Sequence, residues 1–410
     1  MRRSNLFATT SKEAEADTDC ASEELAIRAG LIHSYGSGTF GFTNLGLRVV
    51  ENIEEVIRNE MDRIGQEVKM NILQKSDIWK KSGRWENFEG EEFFSLENRE
   101  GKKFTIAATH EETAVELVRK YIRSYRDLDL TIYQIGRKFR DDHARKGLIR
   151  GKEFVMKDAY SFHEDREGLD RKYQKVVEVY RNIFDRLGLE YSEVSADNGD
   201  MGGSGSHEFI AESEVGSDTY LKCESRECSF GTKDLEVGKC RECGSDLREV
   251  NGIEVGHCFK LGDRYTAEDS MDLTFTTGEG VEQEVLMGCY GIGVSRLIST
   301  IIEQNHDERG IAWNREVSAF DTSIIVARHE EEVMEKAEDI YQELRDSGIE
   351  VILYDEERSA GEKFRDSDLL GIRRKLIVGK NFIEEDTVEI ETRDGEKERF
   401  DSEEVVEELT

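Results

Sequence analysis

Four of the seven cysteines lie between residues 223 and 243, in the order Cys223-x4-Cys228-x11-Cys240-x2-Cys243. Two close thiol pairs joined by a loop offer four soft ligands to a tetrahedral ion, the pattern of a structural zinc ribbon; the alternative is four unligated thiols. Two arginines are the next candidates. Arg140 closes the run Arg137-Lys138-Phe139-Arg140, and Arg296 follows the glycine alternation Gly291-Ile292-Gly293. A guanidinium clamps phosphate or carboxylate oxygens in two places at once, and small residues at alternate positions let a flat or phosphorylated ligand approach the backbone. Taken singly, each has an ordinary alternative, a solvated arginine or a glycine turn.

These residues need elements to hold them. Leu47, Val50, Ile53, Val56, Ile57, Met61 and Ile64 recur at spacings of three and four, predicting one helix with an apolar stripe. Residues 131–135 and 153–156 read as strands on either side of a basic stretch from Arg137 to Arg150, and 169–187 reads as a helix. Residues 285–290 read as a buried strand that turns through Gly291 and Gly293 into a helix ending near Gln304. From about 320 strands and helices alternate, predicting a separate α/β domain that closes with a hairpin through Asp394-Gly395 and a short helix. The expected domains are therefore 1–318, with a cysteine-rich insert at 220–250, and 319–410.

Composition sets the setting. The 90 acidic residues outnumber the 57 Lys and Arg, for a net charge of −33. Such self-repulsion opposes compaction unless salt screens it, so a salt-rich cytoplasm is the expected environment. No apolar run reaches the roughly 20 residues that span a bilayer, and no signal-peptide segment follows Met1-Arg2-Arg3, so a soluble cytoplasmic protein with no membrane partner is expected. Proline is absent from all 410 residues, where about 20 would be usual.

Along the chain, Leu45-Gly46-Leu47-Arg48-Val49, Thr109-His110-Glu111-Glu112, the stretch RKFRDDHARKGLIRGKEFVMKDAYSFH from Arg137 to His163, the run Gly202 to Phe209, and MGCYGIGVSRLISTIIEQNHDERGIAW from Met287 to Trp313 stand in order. This series resembles the bacterial-type prolyl-tRNA synthetases, the third and fifth blocks resembling their motifs 2 and 3. The resemblance implies an α+β fold: a class II antiparallel-sheet catalytic domain, here with the small cysteine-rich insert, and a C-terminal α/β anticodon-binding domain, working as a homodimer. It implies an aminoacyl-tRNA ligase that activates proline with ATP and Mg²⁺ to prolyl-adenylate and transfers it to tRNA(Pro). Adenylate formation is in-line displacement at phosphorus, governed by positioning and charge neutralisation.

By the same resemblance, Arg140 contacts the α-phosphate and the substrate carboxylate, Arg296 the γ-phosphate, and Arg150 the phosphates, while Asp142 and Phe154 meet adenine. Thr109 and Glu111 hold the charged ring nitrogen of proline, and Phe162, His207 and Cys289 form walls of the amino-acid pocket. Phe162 and Cys289 also fit a plain core reading. Arg358, Lys363, Arg365, Arg373 and Arg374 offer a local basic face to tRNA. Four departures matter. Asp142 replaces a glutamate and Lys152 an arginine. Asn44, Ala108, Asn314 and Arg373 stand at family proline positions. Only residues 210–286 separate Phe209 from Met287, so the large editing insertion is expected to be missing. A paralogue of altered specificity and an inactive tRNA-binding sensor are the alternative functions.

Overall fold

The computed structural model describes residues 1–14, 18–85, 93–196 and 205–409. Its contacts divide the chain into two compact units: Gly36–Phe40 with Glu54–Thr300, and Met1–Tyr35 with Gly41–Ile53 and Ile301–Thr410. In this division the N-terminal segment groups with the C-terminal domain.

The larger unit is built on a nine-stranded sheet. Its strands are β1 (Gln66–Glu67), β2 (Leu130–Phe139), β3 (Glu153–His163), β4 (Tyr191–Ala196), β5 (Ser206–Glu212), β6 (Asp218–Cys223), β7 (Phe230–Thr232), β8 (Leu247–Gly262) and β9 (Leu286–Ile292). In space they run β5-β4-β7-β6-β8-β9-β3-β2-β1. Only β7 with β4 and β1 with β2 are parallel. The strand expected at 131–135 is twice that length, because β2 and β3 pair from Leu130↔Phe162 to Phe139↔Glu153 and flank the basic stretch as a long antiparallel ladder.

Helix α3 (Arg166–Arg186) covers one face of this sheet; α1 (Asn44–Met61) precedes the sheet, α2 (Glu111–Val118) lies between its first two strands in sequence, and α4 (Val294–Gln304) follows its last strand. The Asp165 carboxylate accepts from the Gly168 amide to start α3, and Gly188, at φ +71°, ends it in the left-handed conformation that only glycine adopts at little cost. Its stripe Tyr173, Val176, Tyr180, Ile183 and Phe184 is buried, and Tyr180, Phe184 and Phe209 pack ring against ring. Truncating Phe184 to Ala would cost about 3–5 kcal/mol. In α1 the predicted stripe is buried except Leu47, which is 47% exposed.

In the other unit, β10 (Thr322–Val326), β11 (Val351–Tyr354), β12 (Arg374–Val378), β13 (Thr387–Thr392) and β14 (Lys397–Asp401) form a sheet ordered β11-β10-β12-β13-β14. The first three strands are parallel, with α5 (Glu331–Asp346) and α6 (Ala360–Leu369) as crossovers, and the last two form the expected hairpin. Helix Lys380–Glu385 is too short for its periodicity to be read in the sequence. The N-terminus docks here: the Leu353 amide donates to the Met1 carbonyl at 2.9 Å, and Arg3 meets the buried Asp366 at 3.0 Å. Those long-range contacts account for the grouping of residues 1–35 with this unit.

Candidate active site

Successive strand residues point to opposite faces, so residues two apart share one. Phe154, Met156 and Asp158 of β3 and Cys289 and Gly291 of β9 line one cavity of about 480 Å³; Gly293, just beyond β9, joins them. Strand β8 adds Glu254, His257 and Phe259, and the loop after β2 adds Arg140, Asp142 and Arg150. No carbon at position 291 narrows this wall; an added Cβ would lie 3.9 Å from the Met156 sulfur.

One end of the cavity is acidic and buried. Thr109 Oγ1 donates to both Glu111 oxygens at 2.7 and 2.8 Å, Arg84 Nη1 donates to Glu111 at 3.0 Å, and Cys289 Sγ lies 3.3 Å from Glu111 Oε1. Glu112 shares Arg84, at 3.3 Å, and accepts from Ser82. Burial favours the neutral acid at both carboxyls. At Glu111 the Arg84 charge and the Thr109 hydroxyl overcome it and hold the group below the usual carboxylate range, whereas burial wins at Glu112 and pushes it up. Glu111 is thus the more readily ionised member of the pair. Arg84 is fixed over Trp79, 4.7 Å from the ring centre, and Trp79 in turn donates to Gln74, whose amide donates to the Thr109 carbonyl. Asp158 is also kept ionised against burial, by Lys138 at 2.6 Å.

The other end is basic. The Arg140 guanidinium carbon sits 5.4 Å from the centre of the Phe154 ring, and its Nε donates to the Ala108 carbonyl at 3.4 Å. Arg150 Nε donates to Asp142 at 2.6 Å, and Arg296 donates to the carbonyls of Ile149 at 2.9 Å and Glu254 at 2.7 Å. Burial opposes ionisation of Glu254, but the His257 ring at 2.9 Å and Arg296 hold its carboxyl down at about 2.

Eight of the residues singled out in the sequence meet here: Thr109, Glu111, Arg140, Asp142, Arg150, Phe154, Cys289 and Arg296. Phe162 and His207 do not line the cavity. Phe162 lies on the Phe154 face of β3 but further along, fully buried among Val115, Ile132 and Met287. The His207 Nδ1 pairs with Tyr173 at 2.7 Å. Residues 202–204 of the fourth sequence block lie outside the described residues. Arg84, Asp158, Glu254 and His257 escaped the sequence reading. Arg84 has no spacing relation to Glu111, and only the chain fold brings them together.

Lys363 requires a correction. It is buried and donates to the carbonyls of Val326 and Tyr354 at 2.9 and 3.0 Å, so it is a structural ammonium and cannot reach a phosphate. Arg365 and Arg373 are exposed, while Arg358 and Arg374 are half-buried.

Comparison with known proteins follows this geometry. Residues 94–305 match the tRNA synthetase class II core domain (G, H, P, S and T), and 322–410 match the anticodon binding domain. The chain is 38% identical to a proline-tRNA ligase of Sulfurimonas denitrificans over 406 residues, covering 93% of this chain and 92% of the relative. It is 39% identical to that of Anaplasma marginale, covering 96% of each. Its alignment with the proline-tRNA ligase of Halothermothrix orenii, 33% identical and covering 96% of each, runs over 546 positions. With only 410 residues here, that relative carries an internal insertion that this chain lacks. The fold resembles prolyl-tRNA synthetase of Cryptosporidium parvum, solved with halofuginone and AMPPNP, at a TM-score of 0.77 and 18% identity, covering 98% of this chain and 80% of that one. By its two domain matches and its identity to full-length relatives, the chain belongs to the proline-tRNA ligase family of class II aminoacyl-tRNA synthetases.

Proposed function

We propose that the chain activates proline with ATP and transfers it to tRNA(Pro). The observation that carries this reading is the shared cavity, with an ionised, desolvated carboxylate at one end and three arginines at the other. A secondary ammonium presents one positive charge and two N–H donors, which Glu111 and Thr109 suit. Arg140, whose Nε donates to the Ala108 carbonyl beside Thr109, would hold the carboxylate nucleophile beside the α-phosphate, and Arg150 and Arg296 would neutralise charge on the phosphates. Little covalent help is needed in such a displacement, so placement of these cations supplies the catalysis. Phe154 would present its ring to adenine.

Mg²⁺ prefers substrate phosphates plus one or two carboxylates. Glu254, ionised at about 2, and Asp218 both line the cavity and fit that role; the ion would neutralise phosphate charge. Arg365 and Arg373 remain as exposed cations for tRNA, whose unstacked loop bases are the accessible ones. A homodimer is consistent with exposed Phe7, Tyr35 and Leu47. A cytoplasmic, salt-rich setting is part of this proposal, supported by the net charge of −33, and molar salt should raise the unfolding midpoint. Lacking the insertion, the chain leaves alanine rejection to this pocket or to a separate hydrolase, because each methylene of size difference is worth only about 1–3 kcal/mol.

The deciding measurement is ATP-pyrophosphate exchange with proline, alanine and cysteine across salt concentrations. Proline-dependent exchange is expected. Exchange only with another amino acid would favour a paralogue of changed specificity, and none at all a tRNA-binding sensor.

A further inference from the structure

The structure assigns a metal centre to Cys223, Cys228, Cys240 and Cys243, and we propose that a bound zinc ion there clamps the nucleotide end of the cavity. The four sulfurs all lie within 4.8 Å of one another, with Cys223 and Cys243 at 3.4 Å and Cys228 and Cys240 at 3.7 Å. Four sulfurs about 2.3 Å from a tetrahedral ion stand about 3.8 Å apart, so the thiols are already gathered to that size. The Cys240-x2-Cys243 turn is held by the Gly244 amide donating to the Cys240 carbonyl at 3.0 Å and the Cys240 amide donating to Ser245, with Gly244 at φ +77°.

Three strands leave these thiols for the cavity. Cys223 ends β6, Cys228 stands two residues before β7, and Cys243 four before β8. The β6–β8 ladder starts at Cys223↔Leu247 and ends at Asp218↔Gly252. Asp218, and Ile253 and Glu254 just past Gly252, line the cavity. Lys233, directly after β7, bridges Asp218 at 3.3 Å and Glu208 at 2.5 Å. An ion joining the three strands at the thiol end fixes the register that sets Asp218 and Glu254 at the other.

Metal analysis of the purified full chain is expected to give one zinc per chain, and cobalt-substituted protein a thiolate-to-cobalt charge-transfer band. The double variant C240S/C243S should lose the metal and raise KM for ATP several-fold, with KM for proline little changed. Chelation of the native chain and zinc re-addition, followed by direct ATP binding, gives the same comparison should the variant misfold. Native protein with no metal and four freely reactive thiols overturns the site. Metal loss with unchanged ATP binding overturns the clamp. Metal content is independent of the proposed activity, so the two can fail separately.

A second observation carries its own inference, which rests on the proposed activity. We infer that this chain restores prolyl-tRNA after that pool is exhausted, because a ribosome can complete all 410 residues without it. At two positions where the resemblance places family prolines, the fold uses other means. Asn44 opens α1, where proline is well tolerated, and the Thr43 hydroxyl accepts from the amides of Leu45 and Gly46 at 3.1 and 3.3 Å. Asn314 caps its own turn by accepting from the Val317 amide at 3.1 Å.

The test is a reconstituted translation mixture lacking prolyl-tRNA synthetase, with deacylated tRNA, programmed with this messenger and a proline-containing reporter. Full-length chain should appear first and the reporter after a lag, whereas a messenger encoding N44P should yield neither. Purified chain added to the same mixture reports the activity alone. Charging by purified chain without reporter synthesis from the messenger overturns the inference, and no charging by purified chain overturns the activity and this inference with it.

Discussion

Cys289 Sγ lies 3.3 Å from Glu111 Oε1, so the thiol on β9 donates to the carboxylate that opens α2. Burial and the Glu111 charge push this thiol far up, and it stays a neutral donor. Replacing Cys289 with Ala removes that donor and opens space beside Glu111. A hydrogen bond to a charged group is worth about 1.5–3 kcal/mol. We expect KM for proline to rise about tenfold or more in the exchange assay, with KM for ATP little changed.

Arg84 pairs with both Glu111 and Glu112, and it is 4% exposed. Arg84→Met leaves two adjacent buried carboxyls without it. Loss of one partner from a buried pair costs about 3–5 kcal/mol. A marked fall in the denaturant midpoint is expected, together with loss of proline-dependent exchange.

Arg140 lies half-buried in the cavity, so its removal should hurt chemistry more than folding. Arg140→Ala is expected to lower kcat by about 10²–10³, the usual effect of removing one transition-state donor. The unfolding midpoint should stay close to that of the parent. Exchange equal to the parent would refute the role given to Arg140.

Glu254 titrates near 2 in the folded chain, against about 4.3 unfolded. Above 4.3 both states are ionised and its stabilisation is complete. Between 4.3 and 2 the unfolded state takes up a proton that the native state refuses, so stability falls as pH falls. Glu254→Gln should flatten the acid limb of a stability-pH curve in that window, by up to about 1.4 kcal/mol per pH unit. An unchanged slope would count against the ionised Glu254.

Lys363 and Arg365 are two residues apart on α6 with opposite exposure. Lys363→Met leaves two carbonyls short of a donor and should destabilise by about 1–3 kcal/mol. Arg365→Ala should leave stability within about 0.5 kcal/mol while weakening tRNA binding and its salt dependence. Filter binding of tRNA at several salt concentrations, beside thermal melts, separates the two.

Local pattern carried much of this molecule. The stripe from Val50 to Met61, the alternation of β10 with α5, and the cysteine spacing are short-range facts of sequence, because helix and strand periods and ligand spacing are fixed by backbone geometry. Residue type and neighbours singled out Arg140 and Arg296, and family motifs added the other six residues that meet in the cavity. What only the tertiary structure decided is which groups become partners across long sequence separations. Arg84 reaches Glu111, Lys363 is drawn inward to carbonyls of Val326 and Tyr354, Phe162 falls into the core two residues beyond Tyr160, and Met1 pairs with Leu353. No periodicity encodes such pairs. Burial and charge at each site depend on everything packed around it, and that is set when the sheet closes over its core.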